Sequence, residues 1–152
     1  MQERWNADMK VVIVGGVAGG ATAAARIRRL NEQAEIVVFE RSGYISYANC
    51  GLPYYIGDAI TDPEELTLQT PESFFSRFRI MMKVLHEVTA IYPDRKTVSV
   101  RNLKTGEEFE EGYDKLILSP GAKPTQPKLS GMEADKLFTL RTVEDTFKIK
   151  AY

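Results

Sequence analysis

The chain has 152 residues, 20 Lys+Arg against 21 Asp+Glu (formal charge −1), and is 43% hydrophobic and 27% charged. That composition is globular rather than disordered, and the length suits one domain with a real core and hardly two. Interspersed, near-neutral charge argues against a general nucleic-acid or anionic-membrane binder. One cysteine rules out an intrachain disulfide, and one histidine beside it speaks against a structural zinc site.

Residues 1–8 read as a loose leader before a second start at Met9. Val11–Ala25 imitates a signal peptide, but it is short of the roughly 20 apolar residues that span a bilayer. It also contains four glycines and runs into Arg26, Arg28 and Arg29, where a cleavage site needs small neutral residues. The run reads better as a strand over Lys10–Val14, a glycine turn, and a helix over Ala18–Leu30. A second buried strand follows at Ile36–Glu40, so the opening is a βαβ unit with a parallel strand pair. Residues 41–60 form a long loop holding a short helix. Thr70 and Pro71 open a helix over 71–78. His86–Tyr92 and Thr97–Arg101 form a hairpin around Pro93–Lys96, and a turn at 104–106 leads to a short strand near Phe109. Lys115–Leu118 is another buried strand, ended by Ser119, Pro120 and Gly121. Thr142 and Asp145 make a capping box for a last helix. The fold class is α/β: a Rossmann-like nucleotide-binding domain with a small antiparallel meander.

The glycine turn matches the dinucleotide pattern at two of its three positions. Gly15 permits the tight turn and Gly20 lets the helix approach the sheet, but Val17 stands at the second glycine. Such a turn aims free N–H groups and the positive end of a helix at a diphosphate. Glu40, ending the next strand, suits a ribose diol and disfavours a 2′-phosphate. Cys50 lies near the start of the short helix, with Pro53 in its first turn and Gly57 at its end. A thiol at a helix N-terminus is favoured as reactive thiolate, whereas a lone cysteine buried in a core is inert; spacing leaves both open.

The segments VVIVGGVAGGATAAARIRRL, VVFE, ISYANCGLPYYIG and YDKLILSPGAKP resemble the coenzyme A-disulfide reductases. These are the single-cysteine branch of the FAD-dependent pyridine nucleotide-disulfide oxidoreductases. The resemblance runs from Met9 to the end of the chain. It implies that the first glycine motif holds FAD, through Gly15, Gly16, Val17, Ala18, Gly19, Glu40 and Arg41, with Val88 by the adenine and Ser119 and Gly121 in a later flavin turn. It implies that Cys50 cycles between thiolate and a mixed disulfide with coenzyme A. On the first helix Thr22, Arg26 and Arg29 share one face, while Ala23, Ile27 and Leu30 form a stripe suited to the sheet. Alone, the first face reads as a solvated basic surface. The resemblance assigns it to the phosphates of coenzyme A, with Ser46, Tyr47 and Asn49 guiding the pantetheine arm and Arg77 or Arg79 as a further phosphate contact.

Two departures qualify the likeness. NADH peroxidases and water-forming NADH oxidases carry a histidine in the first glycine turn, where this chain has Val17. That favours disulfide or persulfide chemistry over peroxide reduction through a cysteine sulfenic acid. The chain also stops at Tyr152, before the NAD(P)H-binding and dimerisation domains that the family carries. The resemblance therefore implies an N-terminal part of a cytoplasmic homodimer, inactive by itself. A non-catalytic nucleotide-binding fragment is the reading of another class.

Overall fold

The computed structural model describes residues 9–127, 129–130 and 137–152, so the leader expected over residues 1–8 lies outside the described residues. In chain order the elements are β1 (Lys10–Val14), α1 (Ala18–Leu30), β2 (Glu35–Glu40), β3 (Ile45–Tyr47), α2 (Leu52–Ile56), β4 (Thr67–Gln69) and α3 (Pro71–Phe78). They continue with β5 (Met81–Val84), β6 (His86–Tyr92), β7 (Thr97–Asn102), β8 (Glu108–Gly112), β9 (Lys115–Leu118) and α4 (Val143–Lys150). Short 3₁₀ turns cover Asn49–Gly51 and Pro63–Leu66. The chain divides into two compact units, Met1–Ser46 with Gln69–Pro120 and Tyr47–Leu68 with Gly121–Tyr152.

The first unit is built on a four-stranded sheet of order β5-β2-β1-β9, with every neighbouring pair parallel. The near-continuous apolar runs of β1 and β2 follow from burial of both faces. Val11, Ile13, Ile36, Val38 and Met82 join a core with Ala21, Ala24 and Ile27 of α1 and Phe74 of α3. The alternate residues Val12, Val37 and Phe39 join a second core with Val98 and Val100 of β7. The antiparallel meander β6-β7-β8 thus covers the face that the helices leave. Each fully buried Val, Ile or Phe contributes about 1.5–3 kcal/mol relative to exposure.

Three features differ from the expectation. β5 was not foreseen; it pairs with β2, Val37 to Met81 through Glu40 to Val84. The segment expected as a loop with one helix also contains β3, paired with β4 in a two-stranded sheet. The inner stripe of α1 is Gly20, Ala21, Ala24 and Ile27, and Leu30 is 55% exposed. Small residues let the helix approach the sheet closely, and Leu30 falls outside the stripe they form. Arg28 falls on the buried side with Ala21 and Ala24. Its guanidinium donates to the carbonyls of Phe78 (2.8 Å), Glu32 (2.5 Å), Arg79 (3.0 Å) and Asn31 (3.3 Å). One cation thereby serves the carbonyl ends of both α1 and α3. Burial, then the neighbouring Arg79, lowers its pKa.

Helix starts follow the sequence. Thr70 accepts from Ser73 N–H at 3.2 Å, and Ser73 Oγ accepts from Thr70 N–H at 2.9 Å. Thr142 and Asp145 form the same reciprocal box on α4. In the second unit Leu52, Leu66 and Val143 are buried, and Tyr55 meets Phe147 edge-on with ring centroids 5.8 Å apart. Lys150 Nζ bonds Tyr55 O (2.6 Å) and Asp58 Oδ1 (2.8 Å), tying α4 to the segment after α2. Among the described residues no helix is long and apolar enough to cross a membrane.

Candidate functional site

The turn after β1 is a place where side chains do not fit. Gly15 sits at φ +96°, and a Cβ there would stand 2.0 Å from Ser119 O. A Cβ on Gly20 would stand 1.7 Å from Gly15 O, so the helix can start here only with glycine. Val17 occupies the second glycine position of the pattern as the N-cap residue, with φ −94°. A negative φ does not require glycine, which explains how valine is accommodated. The start of α1 carries no side-chain cap, and Ala18 and Gly19 are exposed. Its first N–H groups are therefore open to an anion.

Glu40 is nearly buried, at 8% exposure. Gly16 N–H donates to its Oε2 at 2.7 Å and Ser42 N–H to its Oε1 at 2.8 Å. The carboxylate expected to face a ribose thus first fastens the glycine turn to the end of β2. Each oxygen retains a lone pair for a further donor. Ser46 N–H donates to Gly16 O at 3.1 Å, securing the turn from another side.

Beside this turn lies a pocket of about 120 Å³, lined by Val14, Gly15, Phe39, Glu40, Arg41, His86, Glu87, Val88 and Pro120. It brings together Gly15, Glu40, Arg41 and Val88, all expected from the sequence, and Pro120 neighbours the expected Ser119. Apolar and polar groups side by side, next to open helix N–H groups, are the kind of lining that the base edge and phosphates of a nucleotide require. His86 and Phe39 were missed. The signal was the two-residue period of a strand, which puts His86 on the same face as Val88. Gly121, also expected here, belongs to the second unit, at φ +73°.

Cys50 lies in the second unit and is exposed and free. It sits in the 3₁₀ turn Asn49–Gly51, ahead of α2 rather than in its first turn, and α2 is only five residues long. The expected dipole support for a thiolate is correspondingly weak. Arg141, far along the chain, donates from Nη1 to Asn49 Oδ1 at 3.3 Å, and the turn is closed locally by Gly51 N–H donating to Ala48 O at 2.9 Å. Gly51 packs on Ala48, Ile60 and Leu66. Tyr47, expected at the substrate, is buried at 8% exposure, and its hydroxyl donates to Arg141 O at 3.5 Å. Sequence reasoning did not foresee Arg141.

On α1, Thr22, Arg26 and Arg29 are exposed together, as their spacing predicts. Arg77 and Arg79 are also exposed, with Arg77 over the Phe78 ring at 5.1 Å. Among the described residues, no group of three or more His, Cys, Asp or Glu is arranged to hold a metal ion.

The family described as pyridine nucleotide-disulphide oxidoreductase matches residues 9–152. A coenzyme A disulfide reductase of Staphylococcus aureus (strain bovine RF122 / ET3-1) is 51% identical over 143 residues, covering 94% of this chain and 32% of that protein. The crystal structure of reduced Bacillus anthracis CoADR-RHD is 54% identical with a TM-score of 0.94, covering 99% of this chain and 27% of the other. A NAD-dependent persulfide reductase from A. fulgidus is 36% identical with a TM-score of 0.86, covering 93% of this chain and 27% of the other. The chain thus spans less than a third of the length of each of these proteins.

Proposed function

The chain belongs to the pyridine nucleotide-disulphide oxidoreductase family, and on that premise we propose that it supplies the FAD-holding, cysteine-bearing part of an NAD(P)H-dependent reductase. Its substrate is coenzyme A disulfide or a related small disulfide or persulfide. The observation that carries this reading is the exposed, free Cys50 within a segment of the reductase type. Likeness to a coenzyme A disulfide reductase and to a persulfide reductase supports the same chemistry. Val17 in the glycine turn offers no proton for peroxide, which sets the sulfenic-acid reading behind the disulfide one.

In this reading Gly15, Gly16, Val17, Ala18 and Gly19 would hold the diphosphate of FAD. Glu40 and Arg41 would serve the ribose side, Val88 the adenine, and Ser119 and Gly121 the flavin. Bound FAD would supply the electron pair taken from NAD(P)H. The Cys50 thiolate attacks one sulfur of coenzyme A disulfide. A Cys50–S–S–coenzyme A bond forms, the original S–S bond breaks, and one coenzyme A leaves as thiolate. Reduction of the mixed disulfide by two electrons, the chemistry that bound FAD would supply, would release the second thiolate and restore Cys50. Arg26, Arg29 and Thr22 would meet the nucleotide phosphates, with Ser46, Tyr47 and Asn49 along the arm. The whole protein acts as a cytoplasmic homodimer, and the 152-residue chain alone gives no NAD(P)H-dependent turnover.

The first half-reaction tests this in the chain as it stands. Incubation with coenzyme A disulfide should add one coenzyme A moiety, read by intact mass and reversed by a reductant. Cys50→Ser should gain nothing while keeping its flavin absorbance on loading with FAD. An unmodified wild-type chain after prolonged incubation would refute the assignment of Cys50.

A further inference from the structure

We propose that His86 selects the base in the nucleotide pocket, as an acceptor that favours a purine with a 6-amino group over one with a 6-oxo group. The inference rests on the dinucleotide reading of that pocket. His86 lines it together with Gly15, Glu40, Arg41, Glu87 and Val88. Its Nδ1 lies 2.7 Å from Val84 O. A carbonyl can only accept, so Nδ1 carries the hydrogen, and in the neutral ring Nε2 is then a bare acceptor. Among the described residues Nε2 has no hydrogen-bond partner.

The ring is held in place by its surroundings. Its centroid is 6.3 Å from that of Phe39 and 6.1 Å from that of Phe109. The residue before it, Leu85, adopts a left-handed backbone at φ 55°, which a bulky side chain rarely takes. Leu85 is kept there by hydrogen bonds on both sides, its N–H to Ser42 O at 3.0 Å and its carbonyl from Leu103 N–H at 2.7 Å. Beyond it, the β6–β7 register shifts between Val88 and Ala90. Strained turns and bulges of this kind re-aim side chains beside ligand sites. The chemistry then discriminates: the 6-amino group of adenine donates to an acceptor, whereas the 6-oxo group of hypoxanthine leaves two acceptors facing each other.

The test uses the full 152-residue chain, with ADP and IDP as probes. Calorimetry should find ADP about tenfold tighter than IDP, the worth of one well-placed hydrogen bond. In ¹⁵N spectra the single histidine gives one pair of ring resonances; Nε2 should move on saturation with ADP while Nδ1 stays protonated. His86→Phe keeps a ring packed against both Phe39 and Phe109 and should bring the ADP to IDP ratio within about twofold. Equal affinities in the wild type, an unmoved Nε2 resonance, or a ratio retained in a folded His86→Phe each overturns the proposal. If that variant does not fold, the wild-type ratio and resonance decide. Binding of neither nucleotide overturns the dinucleotide reading and this inference with it; binding of both alike overturns this inference alone.

Discussion

The glycine turn and the cysteine turn are held in opposite ways. Around Gly15 and Gly20 the backbone is packed so closely that a single methyl has nowhere to go, and Glu40 fastens the turn with its carboxylate. Around Cys50 the support comes from a few separate contacts, among them Arg141 to Asn49, Gly51 N–H to Ala48 O and the packing of Gly51 on Ala48, Ile60 and Leu66, and the sulfur is exposed. The first arrangement suits a site that must keep a rigid shape for a bound cofactor. The second suits a group that must be reached by substrate and form and break bonds with it.

Substitutions should separate the two. Gly20→Ala attacks the rigid region directly, because its Cβ meets a backbone oxygen. It should cost about 3 kcal/mol, read as a lowered urea midpoint. A midpoint within experimental error of wild type would mean that the close approach is not real. Glu40→Gln keeps one acceptor oxygen but turns an NH₂ toward the N–H of Gly16 or Ser42. A loss of about 2 kcal/mol is expected, and an unchanged stability would remove Glu40 as the fastener. Arg141→Ala should cost only about 1 kcal/mol. Its local mark should be clearer: the Gly51 amide, bonded to Ala48 O, should exchange with solvent faster while the amides of β1 do not. Uniform exchange across both regions would erase the contrast.

The smallest effect lies at the far end of β1. Lys10 bridges Glu111 at 2.6 Å and Glu35 at 2.9 Å. Burial opposes its charge, but the hydrogen bonds and attraction of Glu111 and Glu35 outweigh burial, so its pKa is raised above 10.5. Because the folded value exceeds the unfolded one, this stabilisation is complete below pH 10.5 and is lost as pH rises through the folded value. Unfolding curves at increasingly alkaline pH should converge for wild type and Lys10→Met. Parallel curves would show that Lys10 adds nothing there.

The same contrast explains what the sequence made legible. The glycine turn could be read because its constraints are local: the strand, glycines, helix and terminal acid all fall between Lys10 and Glu40. The capping box at Thr142 and the hairpin from His86 are local too. β5 was hidden because its MMKV sequence has no strong period and its partner, β2, lies some forty residues back. Arg28 looked like one charge in a basic run until two helix ends converged on it. Arg141 was hidden because Asn49, which it steadies, is 92 residues away in sequence. The inner stripe of α1 was misjudged by counting bulk, whereas small residues such as Ala21 and Ala24 define the contact.

β9 has consequences for how this chain is handled in solution. It closes one side of the parallel sheet with β1 as its neighbour, and it presents Leu118 at 55% exposure with Lys115 as its sole charge. Among the described residues its outer edge pairs with no other strand, and such an edge is a natural seat for another extended segment. Crowding should therefore make copies of the chain adhere through this border, and a second lysine placed at Leu118 should keep them apart.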